Sequence, residues 1–520
     1  MIRNLILASL LAINIFAATP KDTIVIGIEN ETSRINPLFD EDHDTALDFV
    51  FSGLTKFTPD MKIEPDLAKS WKVSEDGLVW TFYLRDDALW HDGEKFSAED
   101  VKFTIEQALN DKLNAPAKAS FEEVQSVEVI NKYELKIMLK SPFPPLLDAL
   151  SIGVLPKHIL DGKDINSDKF NQNPIGTGPF KFKKWQKGSY ISFEANKDFY
   201  RGKPKADKVI LKIVPDYNIR TYEIKRGDLD VALIESNLVK ELQNDKNIKI
   251  MKLDSADYRA LMFNFDNEIL KSLAVRQAIN YAIDRELIAT KILHGYGFSA
   301  NNPIQKSWAN DKNAKIYEYN IEKAKEILAN DGWELKNKVL QKNGKRLEFD
   351  IYAFNGDPFR VTLANIIQSE LSKIGIKARA IAKNHGAFEI DKVDSFIIGW
   401  GSPLDPDVQT YRVFSSKMDA AKNENGWNYN HYSDKTVDET LLKARTTDKT
   451  EERKLWYSKF INALHEDPPF AFLVYLQYPL AYSDKISGIK PTILGHHGAR
   501  FTHNIEEWND ILPTHKCGGF

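Results

Sequence analysis

Hydrophobic and polar residues alternate most cleanly over residues 80–85. Trp80, Phe82 and Leu84 fall on one face, and Thr81, Tyr83 and Arg85 on the other. That period of two predicts a half-buried strand. Ser74-Glu75-Asp76-Gly77 before it and His91-Asp92-Gly93 after it supply the bent backbone of turns. Ser97 then stands where a helix cap belongs, with Asp100 three residues on as a weaker form of the capping box. Val101, Ile105, Ala108 and Leu109 give the ensuing helix an apolar stripe.

The same reading extends along the chain. Residues 23–28 predict a buried strand, and 46–54 a short helix after an Asn36-Pro37 loop. Strands follow over 124–130 and 134–140, and the Pro-rich run 141–145 interrupts the pattern. Gly176, Gly178 and Pro179 make a tight loop before a hairpin that starts at Phe180, and 208–216 continues as a strand. Beyond about residue 265 the period lengthens. Helices are predicted over 274–292, 320–333, 359–374 and 451–465, with strands over 347–354, 377–382, 395–400, 470–475 and 479–484. In the third helix Leu363, Ile366, Ile367 and Leu371 share a face, and Gly375 closes it. Strands alternating with helices predict βαβ units and a mostly parallel sheet. No internal repeat or low-complexity segment interrupts this α/β pattern.

Length and charge narrow the class. A chain of 520 residues accommodates roughly three domains. Its 42% hydrophobic and 28% charged residues are those of a folded globular protein. The net charge of −4, with no concentrated basic run, argues against a nucleic-acid partner. Residues 1–17 read as a signal peptide: Arg3, an apolar core over 5–16, then Ala17-Ala18 for cleavage. The apolar core is too short to span a bilayer, and no later stretch reaches the ~20 residues required. No Cys follows it to carry a lipid. The lone Cys517 has no internal partner for a disulfide. An exported, soluble, monomeric periplasmic protein is the expectation.

Ala68, Trp71, Ser74, Asp76, Gly77, Phe82, Leu84, Arg85 and Gly93, at this spacing, resemble the signature of the family 5 extracytoplasmic solute-binding proteins. These are the peptide-, dipeptide- and nickel-binding receptors of bacterial ABC importers. The GTGPF element at 176–180 and RGDLD at 226–230 continue the resemblance, which covers essentially the whole mature chain. It implies a two-lobed periplasmic-binding-protein fold with a hinge. The first lobe would be discontinuous, 18–265 plus 478–520, with an inserted subdomain at about 58–185. The second lobe would span 266–477. An ABC permease is the implied partner, with no resident cofactor.

Motifs for catalysis are missing. No HExxH occurs, since His465-Glu466 runs into Pro468-Pro469, and no G-x-S-x-G elbow is present. GTG lacks the Lys-Ser/Thr of a phosphate loop. An enzyme is therefore not expected, and an exported hydrolase stays a remote alternative.

Binding has better handles. The strand ending at Trp400 opens into 401–407, and ligands gather at the carboxyl ends of such strands. Trp400 is a candidate to stack on a ligand, and Leu404 lies in the same loop. In the dipeptide branch, a similar W…DPD loop supplies a carboxylate for the peptide's α-amino group, which the resemblance maps onto Asp407. Otherwise Asp405 and Asp407 shape turns around Pro406. Arg360 is the candidate basic partner for a ligand carboxylate. WGSPLDP at 400–406 resembles the nickel branch's W-G-x-P-x-D-P more closely. Of the eleven histidines, the resemblance places His43 in a segment that faces the cleft and His496-His497 where the chain has returned to the same lobe. Adjacent residues of extended chain point to opposite sides, so one of that pair, His497 preferred, would join His43. Neutral imidazole suits Ni(II). Two imidazoles leave nickel short of ligands, so a small chelator such as free histidine would complete the set. Against that branch, 408–420 holds no His and 148–160 no Arg. A nickel chelate is the favoured ligand, and a dipeptide or oligopeptide the alternative.

Overall fold

The computed structural model describes residues 22–40 and 44–510. The signal segment 1–17, His43 and Cys517 lie outside the described residues.

One mixed sheet organises the molecule. Its strand order is Lys377–Lys383, Glu348–Phe354, Ser395–Trp400, Ile248–Phe263, Phe470–Ser483, Val231–Leu233, Thr23–Ile28, Lys208–Ile213, Tyr190–Ala195 and Phe180–Gln186. Gly297–Ser299 also pairs with Phe470–Ser483. Parallel pairs are confined to the flanks, at Thr23–Ile28 on one side and Glu348–Phe354 on the other. Beyond residue 265 the strands Glu348–Phe354, Lys377–Lys383 and Ser395–Trp400 pair in parallel as expected, but the central strands are antiparallel and the sheet as a whole is mixed. Two long antiparallel strands, Ile248–Phe263 and Phe470–Ser483, run through the centre and carry the chain between its two halves. Sixteen residues at ~3.3 Å each make the first about 50 Å long. That reach lets one strand serve both halves.

The core divides accordingly. One cluster gathers Ile24, Phe49, Phe180, Trp90, Leu480 and Trp508. Beyond residue 257 the long strand is buried on both faces. Leu261 and Phe263 pack against Val275, Leu363 and Leu371 on one side. Tyr258, Ala260 and Met262 pack against Phe414, Tyr457 and Phe472 on the other. Helices on both faces make each of these residues a core residue, and truncating one such Leu costs about 2–5 kcal/mol.

A separate antiparallel sheet of four strands carries the alternating stretch: Ala68–Val73, Val79–Leu84, Glu134–Leu139 and Val124–Asn131. Trp80, Phe82 and Leu84 are buried as the alternation requires. The helix Ala98–Ala108 packs on it, and the Ser97 N–H donates to Asp100 Oδ2 at 2.9 Å. This sheet spans 68–139. The expected insertion to 185 overreaches, because Phe180–Gln186 pairs with the large sheet. Two helices are also shorter than the pattern implied. Residues 46–54 hold only Leu47–Val50, and 274–292 breaks at Ile283, after which Asp284 caps a new turn. The strands expected over 470–475 and 479–484 are one continuous strand, Phe470–Ser483.

Candidate functional site

A cavity of ≈ 780 Å³ lies between the halves. Asp44, Asp48, Phe51 and Asp148 line it from one side, Arg360, Trp400, Leu404 and Trp427 from the other, and His496 and Arg500 from the returning segment. The halves also touch directly. The Asp405 N–H donates to Asp148 Oδ1 at 2.7 Å, and the Arg445 guanidinium stands 5.2 Å from the Phe143 ring centre.

The floor is built on Asp257, which sits where the long strand's register shifts between Asp254 and Tyr258. Its carboxylate is fully buried and serves four donors. Arg259 pairs with Oδ1, and His496 Nδ1 lies 2.7 Å from the same oxygen. The Tyr478 hydroxyl donates to Oδ2 at 2.6 Å, and the His497 N–H at 3.0 Å. So many donors, Arg259 and the two imidazoles among them, overcome burial and hold Asp257 well below the usual carboxylate range. Burial does the opposite to His496, pushing it down to about 4, so its ring is neutral at neutral pH. With its proton on Nδ1 toward Asp257, that ring carries its lone pair on Nε2.

His496 lines the cavity, whereas His497 is exposed beside it, the ring centres 4.1 Å apart. Extended-chain alternation, which would turn only one of the pair toward the cleft, does not describe this backbone. His497 instead takes a left-handed φ of 52°, and the alternation fails there.

The aromatic wall is flat. Trp400 stacks on Trp427 at 4.6 Å with 8° between the rings, and Tyr429 lies nearly coplanar in tilt. Arg412 covers Trp427 at 3.5 Å from the ring centre. Trp400 therefore lines the cavity as expected, but in a stack of the protein's own aromatics. Leu404 lines it as well, its N–H held by Ser402 Oγ at 3.2 Å.

Asp407 is buried and already committed to Arg445, whose Nε and Nη2 approach its oxygens at 2.9–3.1 Å. Asp405 is held likewise by a fork from Arg453 at 2.6 and 2.7 Å. The expected role of Asp407, meeting a peptide's α-amino group, has to compete with a buried guanidinium. Arg360 is also buried, donating to Asp357 at 2.9 Å and to the Ile397 carbonyl at 3.2 Å. Burial and neighbouring Arg259 push it down to about 10, which leaves it a cation.

Sequence reading missed Asp257, Arg412, Trp427 and Arg500. A signal existed for the first: Asp257 and Arg259, two apart in an apolar strand, are a charged pair that burial tolerates only when matched. Among the described residues, no three His, Cys, Asp or Glu side chains are grouped closely enough to cage a metal.

The family model for bacterial extracellular solute-binding proteins, family 5 Middle, matches residues 62–421. The chain belongs to that family. It is an extracytoplasmic solute-binding receptor and not an enzyme. The oligopeptide-binding protein AppA of Bacillus subtilis is 30% identical over 508 residues, 93% of this chain and 91% of that protein. The structure of AppA in complex with a nonapeptide matches with a TM-score of 0.81, over 94% of this chain and 99% of that one. The crystal structure of NikZ from Campylobacter jejuni in complex with Ni(L-His) is 54% identical, with a TM-score of 0.89. It covers 94% of this chain and 100% of that chain. The nickel-binding periplasmic protein of Escherichia coli is 27% identical over 497 residues, 92% of each. No helix among the described residues is long and apolar enough to cross a membrane.

Proposed function

We propose that this receptor captures a nickel(II) chelate of a small amino acid, L-histidine first, in the periplasm and delivers it to an ABC permease. The observation that carries the reading is His496: a buried, neutral imidazole on the cavity wall, its Nδ1 engaged by Asp257. Likeness to the Campylobacter NikZ complex supports it. Nickel takes four to six ligands in square-planar or octahedral sets, and imidazole suits it. His496, with His43 and His497 as further candidates, would supply part of the set, and the chelator's amine, imidazole and carboxylate the remainder. Arg360 or Arg500 would meet the chelate's negative charge, and the Trp400 face would accept its ring. A receptor that supplies few metal ligands itself can also release its cargo. Peptide capture is less well supported, because Asp407 is tied to Arg445.

Calorimetric titration with Ni(II), Ni(II) plus L-histidine, and a dipeptide panel tests the reading. The histidine chelate is expected to bind most tightly. His496→Ala should weaken it at least tenfold, ~1.4 kcal/mol. Tight dipeptide binding, with nickel affinity unchanged in a protein lacking His43, His496 and His497, would refute it.

A further inference from the structure

Three segments meet between the halves: the two crossing strands, Ile248–Phe263 and Phe470–Ser483, and the returning segment, which stays with the first half and bridges at Leu494 to Ser255. One carboxylate reaches all three. Asp257 belongs to the first, Tyr478 to the second, and His496 and His497 to the third. Ser255 reinforces the node, its hydroxyl donating to the Leu476 carbonyl at 2.6 Å and accepting the Asp257 N–H at 3.2 Å. Gly401 closes over it: a Cβ there would stand 2.3 Å from Asp257 Cα. The ring that faces the ligand and the strands that must flex on closure therefore share one anchor.

We infer that Asp257 is a positioning residue: it fixes His496 with the proton on Nδ1 and Nε2 as the metal-facing atom, and it ties that ring to the hinge. The inference rests on the nickel-chelate reading. A carboxylate behind a metal-binding imidazole sets its tautomer and orientation, and losing one typically costs 10–100-fold in metal affinity. Here the same carboxylate also meets Tyr478 and the His497 backbone, so a displaced ring would disturb both crossover strands. Metal capture and lobe closure are then coupled through a single side chain.

The test is a double-mutant cycle on Ni(II) with L-histidine, using Asp257→Asn, His496→Ala and both together, with thermal melts to verify folding. Asp257→Asn should weaken chelate binding at least tenfold in the wild-type background and have little further effect once His496 is alanine. An Asp257→Asn loss that persists undiminished in the His496→Ala background would overturn the positioning role while leaving the nickel reading intact. If His496→Ala itself changes nothing, the nickel reading fails first. Should Asp257→Asn not fold, ¹⁵N-histidine spectra of the wild-type protein decide, with His496 assigned by its absence in His496→Ala. A proton on Nδ1 supports the inference, and a proton on Nε2 refutes it.

Discussion

Closing the cleft should take up a proton at Asp148. This carboxyl stands in one half and accepts the Asp405 N–H of the other at 2.7 Å. It is buried on the cavity wall, with the Asp405 carboxylate facing it and the Arg453 and Arg500 guanidinia offsetting part of the repulsion. Burial and Asp405 together push it up from 3.8 to about 8. Opening separates the two halves and returns Asp148 to water and its ordinary value. A carboxyl raised in the closed state favours closure fully below pH 3.8. The advantage is lost as pH rises toward 8, at about 1.4 kcal/mol, or tenfold in affinity, per pH unit. Asp148→Asn keeps an oxygen for the Asp405 N–H and cannot ionise.

The assay compares the two proteins titrated with the same nickel–histidine solution at pH 5.5, 6.5 and 7.5. Protonation of the chelate itself depends strongly on pH but cancels in the ratio of dissociation constants. That ratio, wild type over Asp148→Asn, should climb by up to tenfold per unit, about a hundredfold across the range. It should level off above pH 8. A ratio that stays flat from 5.5 to 7.5 would refute the reasoning, since it would mean that Asp148 has the same charge in both states.

Two other changes probe the lobe that carries the 401–407 loop. Asp407→Ala strands the Arg445 guanidinium between Tyr411 and Phe143 and should cost about 3–5 kcal/mol. A lowered melting temperature, largely restored when Arg445 is also made apolar, checks it. Gly401→Ala pushes a methyl group to 2.5 Å from the Ala256 carbonyl oxygen, where only backbone can yield. A loss of about 1–3 kcal/mol in denaturant stability is expected, together with weaker chelate binding through the displaced Trp400.

Where a residue's environment is set by its near neighbours, the sequence was readable. Alternation over 80–85, the Ser97–Asp100 cap and the Gly375 stop, with φ 82°, all depend on contacts a few residues away. The strand Ile248–Phe263 left no such trace. Its second half is buried on both faces, so nothing alternates, and Asp257 and Arg259 make it look polar although each neutralises the other. The carboxylates of 401–407 were visible, but not their fate. Arg445 and Arg453 lie 38 and 48 residues onward, and only the folded chain shows the forks they make. His43 and the pair His496-His497 were singled out from where the family resemblance places their segments, together with the affinity of imidazole for nickel. Which of His496 and His497 lines the cavity depends on the left-handed turn at His497, which no residue pattern announced.

Those two forks bear on how one scaffold takes different cargo. Arg445 comes from the helix Lys435–Thr446 and Arg453 from Thr450–Glu466, so Asp407 and Asp405 clamp the loop after Trp400 onto both helices. Buried, matched charges of this kind cost desolvation on both sides, and breaking one is far worse than never having had it. A carboxylate so held is poorly available to a ligand cation. What the loop still offers is backbone, the Asp405 N–H that meets Asp148 across the cleft, and the fixed Trp400 face. On the proposed reading, recognition falls to groups outside the loop: the His496 imidazole held by Asp257, and the Arg360 and Arg500 cations on the cavity wall. A metal chelate, with an open coordination position, a flat ring and a carboxylate, matches that set. An extended peptide would have to place its amino end elsewhere than on Asp405 or Asp407.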